Sequence, residues 1–161
     1  MKPTLTRAEI AAGVLAGLAG GILFDLFLFG TQIAAGQPPA DVAAQTYRWI
    51  ASVLLGPDAL GYPAAPAIGF GLHFAVSISW AFGYVYLART KPQLLARPWI
   101  SGAAFGLIVY IFMQLILLVA GMYRRPGLFE LDSALIAHLL FYGIPVALIV
   151  SRRLSPTHAA A

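Results

Sequence analysis

Four polar side chains interrupt an otherwise apolar chain, each in a different hydrophobic stretch: Asp25, His73, Gln114 and His138. His73 is the most conspicuous, since the run from Pro66 to Ala88 holds no formal charge and is long enough to cross a bilayer. Three chemistries suit these residue types. Asp25, His73 and His138, with or without Gln114, form an ordinary ligand set for a divalent metal such as zinc, iron or manganese. His73 and His138 alone would serve as the axial pair of a b-type haem, with Gly69 near one ligand and Gly143 near the other. Asp25 and the two histidines would equally make a proton site, because imidazoles titrate near neutral pH. Against all three stands a purely structural role, in which the polar groups hydrogen-bond across helices and hold them in register for about 0.6 kcal/mol per bond.

The elements that must position these residues are set by composition. With 60% hydrophobic residues, 10% charged residues and a mean hydropathy of +0.83, the chain is solvated mainly by lipid. The sequence predicts an all-α fold, a membrane-spanning up-and-down four-helix bundle forming one integral domain over 1–161. Its spans are expected at about 10–33, 66–88, 99–123 and 133–150. The first run follows a short basic head, but its length and Asp25 argue for a retained helix rather than a cleaved signal. Between the first two spans, Pro38-Pro39 and Gly56-Pro57 bracket a short amphipathic helix at about 39–55. On it, Val42, Thr46, Trp49, Ile50, Val53 and Leu54 share one face, and Asp41, Gln45, Arg48 and Ser52 the other. It is read as an interfacial lid or surface anchor. Pro145 is expected to kink the fourth helix just after His138 and Tyr142. Asp132 or Ser133 is the expected N-cap of that helix, and the end beyond Arg153 reads as disordered.

Lysine and arginine set the orientation. Lys2, Arg7, Arg89, Lys91, Arg97, Arg152 and Arg153 lie on the side of both termini, against Arg48, Arg124 and Arg125 on the other, so both termini are expected in the cytoplasm. At the rise of an α-helix the four polar residues then fall in one layer roughly 9 to 13 Å below the outer surface. A charged aspartate at the centre of a span costs about 2.5 to 3.5 kcal/mol, which favours an inward-facing layer. Gly13, Gly17 and Gly21 on the first helix, and Gly102 and Gly106 on the third, repeat at the spacing that lets another helix approach closely. They are packing grooves within the chain, or the faces of a homo-oligomer or accessory subunit among other membrane subunits. The lipid bilayer is the partner the composition demands. The basic residues form no block, so no nucleic-acid partner is expected.

Several stretches together resemble a widespread group of small bacterial four-helix inner-membrane proteins of unassigned function, with a weaker similarity to YagU-type proteins, which are associated with acid resistance. They are Gly21-Ile22-Leu23-Phe24-Asp25, Ala51-Ser52-Val53-Leu54-Leu55-Gly56-Pro57, Gly69-Phe70-Gly71-Leu72-His73-Phe74, Gly102 to Tyr110 and His138-Leu139-Leu140-Phe141-Tyr142-Gly143-Ile144-Pro145. In that group the third helix commonly ends in methionine and a proline-containing turn, where this chain has Gln114 after Met113 and then Val119-Ala120-Gly121. The resemblance implies a bacterial inner-membrane location with Asp25, His73 and His138 as the matching polar positions; it implies no activity.

Other chemistries are excluded or disfavoured. The chain has no cysteine, which removes disulfides, thiolate metal sites and iron-sulfur clusters. Gly20-Gly21 and Gly69-Phe70-Gly71 lack the lysine and hydroxyl residues of a phosphate loop. Ser77 and Ser79 lie in the same span as His73 without a nucleophile elbow, and no catalytic residue is assigned.

Overall fold

The computed structural model describes residues 4–122 and 133–155. The described chain is helical and contains no strand. In order come α1 (Arg7–Ala34), α2 (Pro39–Leu55), a 3-10 turn (Pro57–Gly61), α3 (Ala65–Thr90), a single turn α4 (Gln93–Ala96), α5 (Pro98–Val119) and α6 (Ser133–Leu154). Among them α1, α3, α5 and α6 are long and apolar enough to cross a membrane. Their outward faces are apolar as well, with Leu26, Ile100 and Leu118 all more than half exposed.

Local chemistry fixes the ends. The Thr6 hydroxyl accepts from the Glu9 amide while the Glu9 carboxylate accepts from the Thr6 amide, a capping box that starts α1 three residues before the apolar run. Glu9 also pairs with Arg89 at 3.0 Å, tying the start of α1 to the end of α3. At the other end of α1, Gly36 takes φ of 94°. The Gln37 amide then reaches back to the Gln32 carbonyl. α5 stops in the same way. Gly121 takes φ of 69° and the Met122 amide bonds the Leu117 carbonyl, so the third span ends at Val119 rather than near 123. Tyr123, the basic loop with Arg124 and Arg125, the expected cap at Asp132, Lys2 and the end beyond Ser155 lie outside the described residues.

The long helices pack antiparallel in pairs, and glycine sets how close they come. Along α1, Gly13 faces the Phe82 ring, Gly17 the backbone of Ile78 and Gly21 the Phe74 ring, all on α3. Gly20, on the neighbouring face, meets Tyr142 and Val146 of α6. Gly102 and Gly106 of α5 lie against backbone atoms of α6 at Gly143, Ile144 and His138. Both glycine faces are therefore covered by the chain's own helices. Helix α3 thus packs on α1, α1 on α6 and α6 on α5, leaving α3 and α5 with scarcely any backbone contact. Side chains bridge them: Trp80 meets Phe105 and Phe112, Tyr84 meets Phe105, and the Tyr84 and Ser101 hydroxyls share a hydrogen bond at 2.8 Å. Tyr84 belongs to the apolar core with Ala12, Ala16, Val85, Val146 and Val150, so Trp80 and Tyr84 serve as packing.

Helix α2 occupies the expected 39–55 and lies along α3. Its packing differs from the two-face reading. Ser52, placed on the polar face, is buried together with Ala51 and Val42, whereas Trp49 and Leu54 of the apolar face are exposed. The Ser52 hydroxyl satisfies itself on the Trp49 carbonyl one turn earlier at 2.7 Å, which removes the cost of burying it. In α6 the predicted disturbance at Pro145 takes the form of a π-helical stretch, Ala137–Gly143. Proline cannot donate to the carbonyl four residues back, and the preceding Ile144 amide bonds Leu139 five residues back instead.

Gly106→Leu should lower stability by about 1 to 3 kcal/mol in detergent unfolding, since a Cβ there runs into the His138 backbone. Gly83→Leu, where nothing lies within 4 Å, should be near neutral.

Candidate functional site

The site begins where α1 and α3 cross. Asp25 sits one turn beyond Gly21, and the close approach permitted by that glycine brings His73 against it. Asp25 is 5% exposed. Its Oδ1 lies 3.2 Å from His73 Nε2, close enough for an ion pair when the imidazole is protonated. The two atoms are misaligned for a hydrogen bond, so both are buried without one. The other carboxylate oxygen, Oδ2, accepts from the Tyr47 hydroxyl at 2.7 Å.

Tyr47 comes from α2, and a glycine again explains its reach. Gly69 of α3 lies directly under the Tyr47 carbonyl, where a Cβ would collide with the α2 backbone. Any side chain at position 69 would lift α2 and withdraw the hydroxyl from Asp25. The Tyr47 ring also packs edge-on against Phe29 and Phe70, which fixes its direction. Burial first, then the bond to Asp25 and its charge, raise the Tyr47 phenol above its ordinary value, so it remains a donor at any physiological pH. Sequence reasoning missed Tyr47. The spacing of α2 alone gave no register against Asp25, and Gly69 was the one available signal.

His138 does not join the pair. The Phe24 ring lies between, 5.8 Å from the His73 ring and 4.7 Å from that of His138. His138 Nδ1 donates to the Ala134 carbonyl at 2.7 Å, and its ring packs on Tyr110. Gln114 makes no hydrogen bond to Asp25 or His73. Among the described residues no three histidine, cysteine, aspartate or glutamate side chains are grouped to hold a metal ion.

What unites all four predicted residues is a cavity of about 1020 Å³. It fills the space left where α3 and α5 fail to pack, and α2 contributes lining residues from Gln45 to Leu54. Asp25, His73, Gln114 and His138 all line it, together with Phe24, Trp80 and Met113. The rim includes Leu54 of α2 and Ile116 of α5, both exposed, so the cavity opens to the surface there. Its inner side is held by a relay of buried hydrogen bonds: the Tyr142 hydroxyl donates to the Ser77 carbonyl at 2.6 Å, and the Ser77 hydroxyl donates to the Gly17 carbonyl at 2.7 Å. The π turn carries both His138 and Tyr142 to this lining.

Comparison with family models, with curated proteins and with solved structures gives no match to this chain.

Tyr47→Phe should cost about 1 to 3 kcal/mol, the penalty for leaving a buried acceptor unsatisfied, read by unfolding in detergent. A raised phenol contributes stability that is fully present below its ordinary value of 10.0 and lost as pH rises through the folded value. The phenol itself should therefore add no pH dependence to the difference between wild type and Tyr47→Phe below about pH 9.

Proposed function

We propose that this chain is a small multi-pass protein of the bacterial inner membrane whose Asp25–His73 pair holds one proton between its two side chains. In this reading the long helices form a single up-and-down four-helix bundle, α2 lies in the outer interface and both termini are cytoplasmic. The distribution of lysine and arginine supports that orientation.

The observation that carries the proposal is a carboxylate 5% exposed with an imidazole nitrogen 3.2 Å away. Two such groups in a low-dielectric interior titrate as a unit. With one proton the pair is neutral overall, as carboxylate with imidazolium or as carboxylic acid with imidazole. With none it is an uncompensated buried anion, and with two an uncompensated cation, both costly. Tyr47 donates to the carboxylate and steadies the singly protonated form. Both residues line the cavity that opens to the surface beside Leu54 and Ile116.

Two measurements test the reading. Wild-type stability in detergent should depend on pH, and His73→Gln should remove the part of that dependence that comes from the pair, leaving that of His138. Identical profiles would remove the proton. Elemental analysis of protein purified without chelators should find no stoichiometric metal in wild type or His73→Ala; metal lost in the variant would replace the proton with a metal ion. The absence of native cysteine makes orientation simple to read: single cysteines at Lys91 and Gln37 should label from opposite sides of sealed vesicles.

A further inference from the structure

The cavity is far larger than a proton or a metal ion requires. At about 1020 Å³ it falls at the upper end of the range that holds small organic molecules. Its walls are apolar and aromatic, with Leu72, Val76 and Trp80 from α3 facing Val109, Met113 and Leu117 from α5. Such walls select an apolar body. The charged groups around it select the head. Asp25 is the only carboxylate among the described lining residues. It is faced by His73 from α3, by the Tyr47 hydroxyl from α2 and, beyond the Phe24 ring, by His138 from α6. From α5 the lining polar group is Gln114, which is uncharged. The fixed cation of the lining, Arg48, spends its guanidinium on the carbonyls of Leu60 and Tyr62 at 3.1 and 3.0 Å.

From this arrangement we propose that the cavity binds a lipophilic organic cation, seated against Asp25 in exchange for the proton that Asp25 shares with His73. The inference rests on the proton-holding reading of that pair. A diffuse cation needs no aligned hydrogen bond from the carboxylate, which suits Asp25: the residue lines the cavity while its Oδ1 is buried against His73 and its Oδ2 accepts from Tyr47. Phe24 and Trp80 are aromatic residues of the lining, the kind of side chain that attracts such a charge. A lipophilic anion would meet a buried carboxylate, and a neutral amphiphile would leave the charge of the pair unchanged and displace nothing. Charge balances in the exchange. The singly protonated pair releases one proton to solvent, the imidazole is left neutral, and the entering cation faces the bare carboxylate. Entry is at the opening beside the exposed lining residues Leu54 of α2 and Ile116 of α5.

Tetraphenylphosphonium is a suitable probe, with the full-length protein in mild detergent. Calorimetry in two buffers of different ionisation enthalpy should show saturable binding with about one proton released per cation, and affinity falling about tenfold per unit of pH on the acid side. Asp25→Asn should weaken binding at least about thirtyfold. Leu117→Trp fills the cavity from α5, a different helix from either member of the pair; it should abolish binding and keep the wild-type pH profile of stability, and it serves if Asp25→Asn does not fold. No saturable binding to wild type, binding without proton release, or equal binding by Asp25→Asn would overturn the inference. If stability still tracks pH through His73 while the probe fails to bind, the ligand class falls and the proton site stands. A flat pH profile with no binding removes both.

Discussion

A buried carboxylate must be answered by something, and in this chain most of the structure follows from how Asp25 is answered. Three elements converge on it: α1 carries it, α3 brings His73 to 3.2 Å and α2 brings the Tyr47 hydroxyl to 2.7 Å. Neither partner arrives by chance of sequence. Gly21 lets α3 approach on one side, and Gly69 lets the backbone of α2 settle on α3. Small residues are the usual means of close packing where lipid supplies no hydrophobic drive between helices. Here they also decide which polar atoms meet.

The same economy of contact leaves a space. Because α1 takes both α3 and α6 as neighbours and α5 spends its glycines on α6, no backbone surface is left to close α3 against α5. Trp80, Phe105, Phe112 and Tyr84 fill part of that gap with rings. Further along, the gap stays open as the cavity headed by Asp25 and His73. The π-helical turn belongs to this design. It places His138 and Tyr142 together on the cavity lining and presents carbonyl groups to Gly102 and Gly106, whose lack of side chains admits them. Single π turns inside otherwise α-helical segments recur at functional sites.

Much of this was legible in the sequence, and the rest was hidden for physical reasons. The four apolar runs and the bracketing of 39–55 by Pro38-Pro39 and Gly56-Pro57 follow from local signals, and the helices form where those signals put them. Asp25 and His73 were recognisable because a charge or imidazole in an apolar run stands out against its surroundings. Depth along a helix could be counted, yet rotation about its axis could not. Gln114 and His138 accordingly share the cavity with the pair without touching it, with Phe24 interposed. Tyr47 escaped because aromatic residues on an amphipathic helix are ordinary. Ser52 was misplaced because a serine can turn its hydroxyl onto its own helix and be buried at little cost.

The central claim is that Asp25 and His73 hold one proton as a unit inside the helices. Nitrogen chemical shifts of the His73 ring, followed across pH in wild type and in Asp25→Asn, address it most directly. The ring-nitrogen shifts of His73 should respond to pH in the wild type and respond differently in Asp25→Asn. Shifts that ignore pH, or a response to pH that ignores Asp25, would contradict the claim.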